Sequence, residues 1–326
     1  MTHSPSPRAL WISAIALGHI GTASLQAQTI IDPARASAVV PTSPSNQREL
    51  SAAESAASTG LEEENDYAPA TPGDDDLGQQ LILKRNEKVQ PFRAWFDTAA
   101  YWTDNAANVS QGEIEDWFLT GGVNLAWQQR LRGRYYGDVY LGQRIYRYDE
   151  LDALDYEDGQ VSAGFLVLLP EVMNSIFHVH YGYQRITQGI DDDPIYQAHT
   201  LRVGLQKTFL INRLNSLYVN ATAALALDTE PDILARHEYS TSVGYNLKIT
   251  RELAFSLSYR LSYFDYYNLQ GREDWYHNWG AGLTWQPCDF VELTASYNFG
   301  LNRSNLDVFE YEAQLAGPSV SLKVKF

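Results

Sequence analysis

The chain has 326 residues, 44% of them hydrophobic and 13% aromatic, with a formal net charge of −16 at pH 7. A single cysteine, Cys288, excludes an internal disulfide and with it the small disulfide-stapled secreted class. No stretch beyond the N-terminus approaches the roughly 18 consecutive apolar residues of a membrane helix, a test that a barrel of strands escapes.

The N-terminus reads as an export signal over residues 1–27. Arg8 supplies a positive charge, ALWISAIALGHIG an apolar run, and TASLQA the small residues for cleavage after Ala27. An uncleaved anchor is the alternative, but the run is short and His19 interrupts it. Residues 28–91 are rich in Ala, Ser and Pro. Over 28–88 they carry 11 acidic against 5 basic residues and one aromatic, Tyr67. Such a segment cannot bury enough apolar area to offset chain entropy, so a disordered acidic tail is expected there.

From Phe92 onward the pattern changes. Residues 92–326 hold 39 of the 41 aromatic residues, and apolar residues recur at every second position. Twelve alternating segments can be counted, at 92–102, 116–128, 134–148, 159–169, 175–187, 195–209, 215–227, 236–248, 253–265, 274–286, 290–301 and 314–326. In the ninth, Leu253, Phe255, Leu257, Tyr259, Leu261 and Tyr263 alternate with Ser256, Ser258, Arg260 and Ser262. Connections after odd-numbered segments are long and those after even-numbered ones short. An even strand count with this sorting predicts an all-β fold, an antiparallel up-and-down transmembrane barrel. A soluble sandwich or lipocalin-like barrel is the rival, but its loops need not sort by side.

Length and charge agree. Trp117 and Trp127 share a face ten residues apart, as do Trp275 and Trp285. Ten residues at about 3.3 Å, tilted by about 40°, rise roughly 25 Å, the height of an apolar band between two aromatic girdles. From residue 92 there are 29 acids and 18 bases, and the long connections with their flanks hold 22 of the acids but only two bases, Arg272 and Arg303. Either these loops are simply solvated, or runs such as Asp149–Asp158 and Ile190–Pro194 attract divalent cations that bridge to lipid headgroups. Neither run has EF-hand spacing.

With these segments in place, the chain resembles bacterial outer-membrane β-barrel proteins of porin-like pattern. The most specific part is the end, SVSLKVKF, where Val320, Leu322, Val324 and Phe326 alternate and the last residue is aromatic. The resemblance implies recognition of this strand by the barrel-assembly machinery, insertion among outer-membrane lipids, and both termini on the periplasmic side. The aromatic often found two residues before the end is Val324 here, and a preferred nearby glycine is Ser321. Phe326 would double as an interface anchor beside the four tryptophans.

The opposite face of the strands would line the lumen. Its charged candidates are Arg93, Asp97, Arg134, Asp138, Arg144 and Arg202, then Glu238, Arg260 and Glu292, with His178 and His180 two apart on the fifth strand. Two readings stay open: opposed charges that orient small polar solutes or ions in a narrow channel, or charges that pair to fill and stiffen the interior. An anchor or adhesin is a further possibility. A lipid hydrolase is another, although the histidine–x–serine pair of the barrel phospholipases is missing: His178 is followed by His180, His199 by Leu201, His237 by Tyr239, His277 by Trp279. No catalytic residue, metal site, cofactor or nucleic-acid partner is expected.

Overall fold

Strict alternation puts every second side chain on one face, and a strand with two unlike faces needs two unlike surroundings. A computed structural model describes residues 90–188 and 193–326, and there the alternation becomes a closed wall. The expected signal, nearly all of the expected tail, and most of the Ile190–Pro194 run lie outside the described residues. The strands are β1 Phe92–Thr103, β2 Asp116–Arg132, β3 Tyr135–Tyr148, β4 Tyr156–Leu169, β5 Ser175–Thr187 and β6 Pro194–Leu210. They continue as β7 Asn215–Glu230, β8 His237–Lys248, β9 Leu253–Tyr266, β10 Arg272–Cys288, β11 Val291–Ser304 and β12 Tyr311–Lys325. Each pairs antiparallel with its chain neighbours, and β12 closes on β1.

All twelve expected segments are strands. Several run longer than the alternation indicated, β2, β7 and β10 most of all. The extension of β2 leaves only Gly133 and Arg134 between it and β3. That turn needs a left-handed residue, and Gly133 supplies it at φ +54°. Among the described residues, the connections after β3, β7 and β11 carry a short 3₁₀ turn of one pattern: Asp152–Leu154, Asp232–Leu234 and Asp307–Phe309. Each is an aspartate followed by two apolar residues.

The outward face is apolar and unburied. Val123 is 64% exposed, Leu119 61% and Phe165 58%, values that an aqueous surface of this extent would not tolerate. Trp117, Trp127, Trp275 and Trp285 all point outward, and aromatic rings pack across the outer wall at Tyr263–Trp275 (4.9 Å) and Trp279–Phe299 (5.6 Å). The inward face is polar at mid-height and apolar near the long loops, where one buried cluster draws on β1–β6, β9, β10 and β12.

The seam holds from end to end. Phe96 faces Leu322 and Ala94 faces Val324 in the β1–β12 register. At its last step the N–H and C=O of Phe326 both bond Phe92 (3.0 and 3.1 Å), and the two rings stack at 5.7 Å with planes 10° apart. Such a pair contributes about 0.5–1.5 kcal/mol beyond its buried area. Phe92→Ala is therefore expected to lower unfolding stability in urea by about 1 kcal/mol, whereas deleting Phe326 also removes two backbone bonds and should deplete assembled barrel in the membrane fraction. Both are read by the heat-shifted mobility of folded barrel on gels.

Candidate functional site: the barrel interior

Ten of the eleven charged or histidine residues expected at the lumen occupy inward positions of the register. Arg134 is the exception. It lies in the β2–β3 turn at the short-turn rim and binds Glu171 of the β4–β5 turn at 2.9 Å. The unexpected extension of β2 shortened that turn and carried Arg134 off the wall. There the backbone N–H of Glu171 itself, and then the Arg134 guanidinium, hold the Glu171 carboxyl below its usual range.

Most of the inward charges find partners across the strands. Arg144 bonds Asp97 at 2.6 Å, Asn124 donates to the other Asp97 oxygen at 2.9 Å, and the Tyr140 hydroxyl donates to Asn124 at 2.7 Å. His180 Nε2 lies 3.0 Å from Asp138, whose second oxygen accepts from Gln128 at 3.2 Å, and Arg93 donates to Gln128 at 3.4 Å. Glu292, 2% exposed, holds Lys323 at 2.6 Å, and Arg260 pairs with Glu238. His178 packs 5.4 Å from His180, with Gly204 opposite, where any side chain would strike the imidazole. Between the Asp97 and Glu292 pairs a cavity of about 30 Å³ remains, room for about two waters.

The interior is therefore filled unevenly. On the β10–β12 and β1–β2 side the polar residues are buried: Asn124, Asn278, Glu292, Thr294 and Ser321 are each below a tenth exposed. On the β6–β9 side Thr222, Ser240, Ser242, Ser256 and Ser258 are only partly buried, and Arg202 is exposed although it points inward. That wall carries small hydroxyls and the exposed Arg202 beside the partly exposed Arg260–Glu238 pair, while Gln206 and Ser262 on it are buried.

Alternation alone did not indicate what closes the long-loop mouth. Leu234 and Phe309, from two of the 3₁₀ turns, and Leu269, from the β9–β10 connection, insert among inward aromatics and are at most 4% exposed. Tyr146 stacks on Tyr156 at 4.2 Å, and Tyr101 packs on Phe118 at 5.6 Å. At the centre lies Arg272, fully buried, its charge centre 3.6 Å from the Phe309 ring centroid and 4.1 Å from that of Tyr266. Asp274, also fully buried, bonds it at 2.5 and 3.0 Å. The Arg272 Nη1 makes no hydrogen bond, so the ring faces supply part of its compensation. A signal was present in the sequence: toward the long loops the inward parity turns apolar, as in Phe264 and Tyr266 beside the outward Tyr263, and in Tyr311, Ala313, Leu315.

Rim acids are largely engaged in ordering the loops. Asp116 accepts from the N–H groups of Glu150 and Leu151, Asp104 from that of Gln314, and Asp155 from that of Tyr148, at 2.7–3.3 Å. Asn268 ties the β9–β10 connection to Asp232 at 2.7 Å. Among the described residues no three His, Cys, Asp or Glu come together as a metal-binding group. Outer-wall histidines meet tyrosines: His199 Nδ1 lies 2.5 Å from the Tyr181 hydroxyl, and His277 Nδ1 2.9 Å from that of Tyr259.

Breaking a buried ion pair from one side strands the other charge, at a cost of about 3–5 kcal/mol. Asp274→Ala is expected to destabilise by about that amount and to open the long loops to protease, while Arg272→Met with Asp274→Leu should recover most of the loss. Urea unfolding and limited proteolysis of the reconstituted barrel measure both.

No protein-family model matches the chain, and no curated protein matches it in sequence. Solved structures match its fold. An outer membrane channel from Pseudomonas putida F1 superposes with a TM-score of 0.53 at 10% identity, over 72% of this chain and 96% of that one. The NanC porin gives a TM-score of 0.43 at 9% identity, over 70% of this chain and all of that one. The first of these likenesses shows a shared barrel fold.

Proposed function

We propose that this barrel is a narrow outer-membrane channel for small polar solutes or ions, closed at its long-loop mouth by a removable apolar plug. The observation that carries the reading is the β6–β9 wall, where small hydroxyl side chains and the exposed Arg202 leave wetted space beneath the plug. A barrel that served only as a wall gains nothing from such a lining. The plug is contributed by loops rather than by strands, so it can withdraw without breaking the wall. The likeness in fold to the outer membrane channel from Pseudomonas putida F1 supports the same reading. The long loops then face outward, the termini and short turns face the periplasm, and the alternating end strand through Phe326 is the handle for the assembly machinery.

The closed mouth also favours a second reading, a structural anchor or adhesin whose interior never conducts. Planar-bilayer recordings on refolded full-length protein separate the two. Rare, brief openings are expected in the wild type. Phe309→Ala should raise open probability roughly ten- to hundredfold, in line with the loss of one buried aromatic, and Arg202→Glu should shift reversal potentials toward cation preference. Silence from the correctly folded wild type and Phe309→Ala alike would establish the anchor reading. Release of the protein from cell-wall fractions on deletion of residues 28–88 would then identify the tail as its tether.

A further inference from the structure

Beneath the long-loop mouth, rings and guanidinium groups alternate in one stack. The Arg272 charge centre lies 3.6 Å from the ring centroid of Phe309 and 4.1 Å from that of Tyr266. The Arg236 guanidinium in turn lies 5.3 Å from Tyr266 and 4.7 Å from Phe264. Phe264 and Tyr266 belong to β9, Arg272 opens β10, and Arg236 directly precedes β8. Phe309 alone comes from a connection, the 3₁₀ turn between β11 and β12. The stack thus ends in a ring tethered by its loop, a built-in occupant of the Arg272 face.

Phe309 satisfies only part of what that face offers. A guanidinium has five N–H donors and no acceptor. Arg272 Nε and Nη2 donate to Asp274 at 3.0 and 2.5 Å, whereas Nη1 bonds nothing among the described residues although the side chain is fully buried. A hydrocarbon ring suits the flat face of the cation but offers its edge no acceptor, and an orphaned buried donor is costly. Asn302, also fully buried, donates from Nδ2 to the Phe309 carbonyl at 2.7 Å. Withdrawal of the turn therefore frees a second donor at the same seat.

The charge of this wall has the sign for an acceptor that is also an anion. From mid-wall to the long-loop end of β6–β10, the inward charged side chains are Arg202, Arg236, Arg260 and Arg272 against Glu238 and Asp274. Of the nearby rim acids, Asp232 is held by Asn268 at 2.7 Å and Glu310 by Arg303 at 3.6 Å, and Asp307 leaves with the turn that carries it. An aliphatic acid lacks the ring that stacks on a guanidinium, and an uncharged aromatic lacks the strong acceptor.

We propose that the seat of Phe309 is a binding site for a small aromatic carboxylate, its ring on the Arg272 face in place of Phe309 and its carboxylate accepting from Arg272 Nη1 and Asn302 Nδ2. The site rests on the channel reading and its removable plug, and the ligand holds the β11–β12 connection in its withdrawn position.

The test is equilibrium dialysis of labelled benzoate against refolded full-length protein in mild detergent, with limited proteolysis in parallel. Phe309→Ala, which vacates the seat, should bind benzoate roughly tenfold or more tightly than the wild type, which must first displace its own buried ring. In that variant benzyl alcohol should compete roughly tenfold less well than benzoate, in line with one hydrogen bond to a charged group. Cyclohexanecarboxylate should compete roughly fivefold less well, in line with one cation–π contact. Adding Arg272→Met with Asp274→Leu should erase both preferences. Saturating benzoate should expose the β11–β12 connection of the wild type to protease. Heat-shifted mobility confirms folding of each variant. Benzoate bound no better than either competitor by folded Phe309→Ala would overturn the proposal. So would a preference that survives Arg272→Met with Asp274→Leu, or a wild type whose connection stays closed to protease at saturating benzoate. None of these readouts needs current: benzoate binding by a barrel silent in bilayers would refute the channel and leave the site, and conduction indifferent to benzoate would do the reverse.

Discussion

Hydrocarbon offers a backbone N–H or C=O no hydrogen-bond partner, so a wall embedded in lipid must satisfy every one of them within itself. A sheet does this only by closing, and here closure depends on the pairing of β12 with β1 along nearly its whole length, sealed at Phe92 and Phe326. Everything else inherits from that seam. Closure fixes which parity faces in, and the antiparallel register then fixes which inward residue stands opposite which. The pairs Asp97–Arg144, Asp138–His180, Glu238–Arg260 and Glu292–Lys323 are consequences of register rather than of sequence proximity.

Those pairs decide between the two ways of reading an interior lined with charge. Most of the inward charges are matched by an opposite charge or an amide at hydrogen-bond distance, and on the β10–β2 side Asp97 and Glu292 are buried. There the charges stiffen the barrel. On the opposite side small hydroxyls are partly exposed beside the Glu238–Arg260 pair, and Arg202 stands there exposed. A single barrel thus combines a filled half and an open half. Burying unpaired ions carries a large desolvation cost, in keeping with the pairing of the buried Asp97 and Glu292 in the filled half and with the exposure of Arg202 in the open one.

The strands were legible in the sequence because side-chain period is a local property: alternation over a dozen residues needs no knowledge of the partner strand. The wall-side tryptophans and the end strand were legible for the same reason. Arg134 was not, because a turn two residues long looks like strand until the glycine's backbone angle is known. Inward facing of Asp97 and Arg144 could be read from parity, but their bond could not, since it joins β1 to β3 across β2. The plug was hidden for a third reason. Leu234, Leu269 and Phe309 sit in connections, where position follows from loop folding. Only the inward aromatics at the strand ends, such as Tyr266 and Tyr311, hinted that something apolar would meet them.

The plug sets a scale for any passage through the barrel. Withdrawing Leu234, Leu269 and Phe309 into water forfeits about 1.5–3 kcal/mol for each fully buried side chain, or about 4.5–9 kcal/mol together. At 1.4 kcal/mol per factor of ten, that places the spontaneously open state about three to six orders of magnitude below the closed one. Arg272 deepens the closed state, because withdrawing Phe309 removes one of the two ring faces that compensate its buried charge. A pore held shut so firmly conducts in proportion to whatever favours the withdrawn loops. A membrane field contributes about 2.3 kcal/mol per charge per 100 mV, so the acids on the plug turns, Asp232 and Asp307, would offset the burial at about 100–200 mV if both crossed the whole field, and at more if the loops traverse only part of it. A solute that binds the loops only in their withdrawn position contributes about 4 kcal/mol when present at a thousand times its dissociation constant. On energetic grounds neither a ligand nor a field of ordinary size opens the mouth with much to spare, and the two acting together would do so most readily.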